Sequence, residues 1–141
     1  MIYAGIDIAN KLNVCCITDE NKKKLRSFSF TNDTNGFTKF RIIILKYESK
    51  KNIHIGIEST GNVTTGIKYF SFNNGFTYKE IPPDKISYYR KSKDKHINKT
   101  DDIDAFMIAS WLIDNKSNTY NGTIKNETDL KPLSRELSKL S

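Results

Sequence analysis

Asp7, Glu58, Asp101 and Asp104 are the residues of this chain whose type and placement could do chemistry. Hard divalent cations such as Mg²⁺ take oxygen ligands, and four carboxylates with no amine among them suit such ions. Two ions about 3.5 to 4 Å apart stabilise both the attacking and the leaving oxygen of an in-line phosphoryl displacement. Gathering the acids without a cation is unfavourable, because like charges raise one another's pKa. A requirement for Mg²⁺ or Mn²⁺, as a pair of ions, is therefore expected.

Two of the acids close near-copies of one pattern, Tyr3-Ala-Gly-Ile-Asp7 and His54-Ile-Gly-Ile-Glu58. Strand alternation puts Tyr3, Gly5 and Asp7 on one face, and His54, Gly56 and Glu58 on one face of the second segment. Laid side by side and parallel, the strands would project both carboxylates from their C-terminal edge, where open α/β sheets bind ligands. The glycines would leave an uncrowded patch beneath them. The remaining acids fall in Lys99-Thr-Asp-Asp-Ile-Asp-Ala105, which opens an apolar run of helical length ending at Ile113. Thr100 can cap that helix. Asp101 and Asp104 are three apart and share a face, whereas Asp102 points roughly 100° away and is left out of the site. First-turn acids also complement the helix dipole, worth about 0.3–1 kcal/mol. Their combination with Asp7 and Glu58 favours a site.

The elements that must position these acids can be read in order. Strands are expected over 2–8, 13–18 and 25–30, three antiparallel strands with a charged turn at 19–24. Thr31 to Gly36 supplies cap and turn chemistry, and Phe37, Phe40, Ile44 and Tyr47 recur at spacings that describe one helix face against a sheet. A strand over 53–57 delivers Glu58. A second helix over about 62–73 ends at Asn74-Gly75, followed by a strand over 76–80 and the breaker Pro82-Pro83. This order is the ribonuclease-H-like plan. His54, flanked by isoleucines on a central strand, reads as a core histidine.

GID at Gly5, GIESTG from Gly56 and KTDDIDA from Lys99, in this order and spacing, resemble the N-terminal domain of the Piv-type DEDD transposases, the insertion-sequence family conventionally numbered one hundred and ten. The KTD-x-x-DA string is far more specific than GID, and the resemblance runs to about Leu112. It implies that Asp7, Glu58, Asp101 and Asp104 are the four catalytic acids and metal ligands. Asn10 departs from the lysine that relatives often carry after the first acid, which touches a substrate contact and leaves the metal site alone. A structured guide RNA is a partner implied by the resemblance only.

Between Pro83 and Lys99 the chain is dense in cations, with two adjacent aromatics. Lys85, Tyr88, Tyr89, Arg90, Lys91, Lys93, Lys95 and Lys99 form the expected nucleic-acid-binding loop, cations neutralising phosphates and tyrosine faces offering stacking. His96 could join them at a phosphate. The formal net charge of +7 over 141 residues points the same way, toward a polyanionic partner. Cys15 and Cys16 are adjacent and fit neither a spaced disulfide framework nor a Cys-x-x-Cys site, which suits buried strand cysteines in a reducing cytoplasm. The apolar start is interrupted by Asp7 and Lys11, so signal-peptide and membrane readings fail.

Residues 1–114 are read as an α/β domain with a ribonuclease-H-like, RuvC-like mixed sheet and flanking helices. Residues 115–141 are read as a polar linker and a truncated helical, coiled-coil-like extension in which Leu130, Leu133, Leu137 and Leu140 recur at heptad-like spacing behind Pro132. The family resemblance implies that a second domain bearing a catalytic serine follows, so activity would be incomplete without it. A homo-oligomer formed through the leucine stripe is expected. The function expected is metal-dependent DNA strand cleavage and exchange during insertion-sequence movement. A Holliday-junction resolvase-like nuclease would share the acids without needing the tail, and a non-catalytic nucleic-acid-binding fragment would bind after the acids were neutralised. An actin-like ATPase or sugar kinase needs a small Gly/Thr phosphate turn after the first Asp, which Ile8 to Lys11 lacks.

Overall fold

The computed structural model describes residues 1–9, 11–58, 65–93 and 101–115, except the side chains of residues 65, 90–93, 101 and 102. Strands β1 (Ile2–Asp7), β2 (Leu12–Asp19) and β3 (Lys24–Thr31) come first, then helix α1 (Thr34–Ile44). Strand β4 (Ile53–Glu58), helix α2 (Thr65–Asn73), strand β5 (Thr77–Ile81) and helices α3 (Pro83–Lys93) and α4 (Asp101–Asp114) follow. The five strands form one sheet in the order β3-β2-β1-β4-β5. The first three are antiparallel in sequence, and β1, β4 and β5 run parallel.

Each sheet face carries its own apolar cluster. Ala4, Ile6, Ile17, Phe30, Ile55 and Ile57 belong to the cluster that takes in Phe40 and Ile44 of α1 and Ile67 of α2. Phe30 and Phe40 stack there with ring centroids 5.1 Å apart. The opposite cluster joins Tyr3 and Ile81 to Ile86 and Tyr89 of α3 and to Met107, Ile108, Trp111 and Leu112 of α4. A helical face that buries against a sheet supplies most of a helix's stability, so these contacts fix all four helices.

Local chemistry sets the boundaries. Asp33 caps α1 by accepting the Gly36 N–H at 2.8 Å. The Thr31 hydroxyl, donating at 2.7 Å, and that backbone bond hold the Asp33 carboxyl below its ordinary pKa. The helix ends before the expected Tyr47, because the Lys46 and Tyr47 N–H groups bond the carbonyls three residues back and tighten the last turn. Gly75, at φ +76°, ends α2 in the left-handed conformation that glycine adopts without penalty. Cys15 and Cys16 are buried thiols outside any disulfide, and burial pushes the Cys15 pKa well up. Among the described residues no helix is long and apolar enough to cross a membrane.

Pro82-Pro83 does not open a loop: the segment expected to be a basic loop begins as helix α3. Pro83 sits at the first helical position, where its missing N–H costs nothing and its fixed φ favours the turn. Ile86 and Tyr89, three apart, then provide the buried face.

Candidate carboxylate site at the sheet edge

Asp7 closes β1 and Glu58 closes β4. The two strands pair in parallel register, Gly5 beside Gly56 and Ile6 beside Ile57, which sets the two acids next to each other at the C-terminal edge. Alternation puts both on the face that carries α4. Each is half-buried.

Gly5 and Gly56 determine how the third acid arrives. A Cβ on Gly5 would run into the Ala105 carbonyl oxygen and lie 2.5 Å from the Ala109 nitrogen. A Cβ on Gly56 would lie 2.6 Å from Leu112 Cδ1. The patch above the glycines is therefore not open, as expected from sequence, but filled by α4, its backbone over Gly5 and the Leu112 and Ile108 side chains over Gly56. This close seat places Asp104, one residue before Ala105, in the first turn of α4 above the acid edge, where it is half-buried. Asp101 opens the same helix, and its side chain lies outside the described residues. Among the described residues no group of three or more acidic, histidine or cysteine side chains is arranged to hold a metal ion. The donor set nevertheless fits a hard divalent cation in kind, being all carboxylate.

The expected nucleic-acid residues divide. Lys85 is exposed, and Tyr88 is 77% exposed on α3. Tyr89, expected to offer a stacking face, is instead 8% exposed and packed against α4. Its hydroxyl donates to Asp114 at 2.6 Å and accepts from Lys22 Nζ at 3.2 Å, while Lys22 Nζ reaches Asp114 at 2.8 Å. Burial pushes the Tyr89 pKa up, and the bond to Asp114 adds to that. For Lys22 burial works downward, but the bonds to Asp114 and Tyr89 prevail and hold its pKa above the ordinary value. Asp114 lies ten residues beyond Asp104, about 15 Å along the helix, so Tyr89 sits away from the acids. The side chains of Arg90, Lys91 and Lys93, and all of Lys95, His96 and Lys99, lie outside the described residues, as does Asn10.

His54 is half-buried and stacks on Tyr3 at 5.3 Å, at the opposite end of the strands from the acids. Sequence reasoning missed Lys22 and Asp114. It also passed over Asn13, an amide at 0% exposure on a strand whose same-face neighbours are Cys15 and Ile17. That interruption of an apolar alternation was the available signal.

A mixed sheet with this strand order, helices on both faces and acids at adjacent parallel strand ends defines a ribonuclease-H-like domain of the RuvC type. The family model of the DEDD transposases of the IS110 group, described as "Transposase", matches residues 4–141, and the chain belongs to that family. Among solved structures it resembles Thermus thermophilus RuvC in complex with a Holliday junction substrate, at TM-score 0.61 and 10% identity over 86% of this chain and 98% of that one. The fowlpox virus Holliday junction resolvase matches at TM-score 0.52 and 17% identity over 83% and 99% of the respective chains. At these identities the likeness establishes the fold. No curated protein sequence matches.

Proposed function

We propose that this transposase-family domain carries out metal-dependent DNA strand cleavage and exchange, with Asp7, Glu58, Asp101 and Asp104 as ligands of Mg²⁺ or Mn²⁺. The observation that supports the reading is the parallel register of β1 and β4, which sets Asp7 beside Glu58, with Gly5 two residues before Asp7 lying against Ala105, the residue after Asp104. Two ions held there would stabilise the attacking and leaving oxygens of a phosphodiester exchange. The strand-borne acids provide a fixed base for the ligand set, while those on α4 depend on how that helix seats. DNA is the partner, approached through the exposed side of α3 at Lys85 and Tyr88 and the basic residues that follow. Residues 1–114 are the acid-bearing domain and 115–141 a linker and helical extension through which copies associate; structured RNA and a serine-bearing domain belong to the same reading.

Metal bound only to the folded state adds RT ln(1 + [L]/Kd), about 2.7 kcal/mol at 100 times Kd, which amounts to several degrees of Tm. Millimolar Mn²⁺ is expected to raise the Tm of the wild type and not that of an Asp7→Ala/Asp104→Ala double variant. Equal shifts would remove the acids from the metal site. The resolvase-like fold, matching nearly the whole of those chains, supports a second reading as a junction nuclease. Cleavage of a four-way junction by the chain alone, equally well without residues 119–141, would favour it.

A further inference from the structure

We infer that the chain's own segment after α4 docks, through Tyr120, into an apolar groove on the sheet face that carries α4. Tyr3, His54 and Thr77 stand side by side in register across β1, β4 and β5. Alternation puts all three on the α4 face. With Met1, Lys79 and Leu112 they line a groove of about 280 Å³ toward the end of the sheet opposite the acids. The Tyr3 and His54 rings, stacked with centroids 5.3 Å apart, give it an aromatic wall. Helix α4 contributes Leu112, whose side chain lies over Gly56, and Met1 and Thr77 are exposed at the rim.

The size of the groove decides what fills it. Ligand pockets run from about 300 to 1,000 Å³, and a specific complex of separate proteins buries about 800 Å² on each partner. A groove of this size takes little more than a single large side chain. A free partner gains too little from one such anchor, whereas a tethered segment meets the groove at a millimolar effective concentration. The tether is in place: Leu112 lines the groove three residues before Asn115, after which residues 116–141 continue outside the described ones. The Asn115 N–H and side-chain amide both donate to the Trp111 carbonyl, which fixes the point where the chain departs. Between Asn115 and Leu130 the large apolar side chains are Tyr120 and Ile124. Tyr120 is five residues beyond Asn115, a reach of up to about 17 Å, against the roughly 10 Å from β1 to β5. Its ring suits an aromatic wall, its hydroxyl suits a rim bearing Thr77 and Lys79, and Asn121-Gly122 supplies a turn directly after it. A docked linker would start the leucine stripe at the end of the sheet away from the acids, so copies joined through it would keep their acid edges clear of the junction. That consequence rests on the reading of residues 115–141 as the associating extension; the docking itself does not.

Lys116 and Lys125 flank Tyr120, so limited trypsin cleavage of the full-length chain reads the docking. Where opening and closing are fast, cleavage tracks the population of the open segment. Tyr120→Ala and the groove-filling Thr77→Trp are each expected to speed cleavage at both lysines about tenfold, since either removes the seat of a buried aromatic ring. The double variant should be cut no faster than either single one, because both changes remove the same contact. Tyr120→Phe should stay within about twofold of wild type and Tyr120→Asp should match Tyr120→Ala. Should Thr77→Trp fail to fold, Thr77→Phe takes its place. Cleavage of Tyr120→Ala within about twofold of wild type overturns the docking. Acceleration in Tyr120→Ala but not in the folded groove variant overturns the groove as its seat. Protection of the wild type that fades on dilution assigns the groove to a second copy and overturns the inference as well. The cleavage assay involves no Mn²⁺, so none of these outcomes touches the metal-site reading, and loss of that reading leaves the docking standing.

Discussion

Replacing Gly5 by alanine tests the seat that brings α4 to the acid edge. The added Cβ would meet the Ala105 carbonyl, and would lie 2.5 Å from the Ala109 nitrogen and 3.1 Å from Ile108 Cβ. The first two are backbone atoms, so no side-chain rotation relieves the clash and the helix must retreat. Optimal contact lies near 3.5–4.0 Å, which asks for a shift of about 1 Å, and a gap of that size forfeits a quarter to a half of each dispersion contact. Ala105, Met107, Ile108, Ala109, Trp111 and Leu112 are all buried against the sheet and would feel it. Overpacking typically costs 1–3 kcal/mol, and the lost contacts put Gly5→Ala at the upper end, about 3 kcal/mol, or a fall of about 10 °C in Tm. Gly66→Ala is the control, because among the described residues its Cβ would press closest on the Phe37 ring, at 3.2 Å, a side chain and not backbone, and alanine favours the helix. Gly66→Ala should melt at or above the wild type. Calorimetric melting with and without Mn²⁺ reads both consequences, since a retreating α4 draws Asp104 from the acid edge. A Gly5→Ala protein melting within about 2 °C of wild type would refute the argument that the glycine is required for the seat of α4.

Asp114→Ala should destabilise the chain by about 2 kcal/mol in urea titration, chiefly through the short Tyr89 bond, since the partly exposed Lys22 pair adds little. Lys22 and Tyr89 both have raised folded pKa values, so their contribution is complete below about pH 10 and is lost as pH rises through those values; the variant should lose the share of that alkaline fall that Asp114 supplies and keep the share that burial of Tyr89 supplies. Charge reversal at Arg90 and Lys91 should flatten the slope of log affinity against log salt by about 2 in DNA-binding anisotropy, and an unchanged slope would take both residues off the binding surface.

The strand-borne half of the site was legible because its signal is periodic and local. Two copies of glycine-x-acid on apolar strands imply the parallel pairing of β1 with β4, and Phe37, Phe40 and Ile44 imply the buried face of α1. Smaller shifts arose at ends, where β5 starts one residue later than expected. Helix α3 was hidden by composition. Among the described side chains Ile86 and Tyr89 mark its buried face, a single spacing of three amid charged residues, which does not separate a helix from a loop. The role of Tyr89 was misread for the same reason, because a tyrosine among cations looks alike from sequence whether its ring faces solvent or the core. Lys22 could not be anticipated at all. Its φ of 67° suits glycine or asparagine better than lysine, and the two side chains that bind it, Tyr89 and Asp114, lie on two helices more than sixty residues away.

The acids and their support are thus written in the sequence in different ways. Asp7 and Glu58 end strands whose register follows from pattern, whereas Asp104 arrives on a helix whose position is a sum of non-local contacts. Helix α4 is seated in its middle on Gly5 and Gly56, flanked by Ile86 and Tyr89 of α3, and tied at its far end to the β2–β3 turn through Asp114 and Lys22. None of these contacts touches Asp104, yet a helix is stiff over its roughly 15 Å between Asp104 and Asp114, so each bears on where that carboxylate stands. The four acids are therefore legible as a motif, while glycines, a buried tyrosine and a strained lysine determine where the helix-borne carboxylate of Asp104 stands relative to the strand ends.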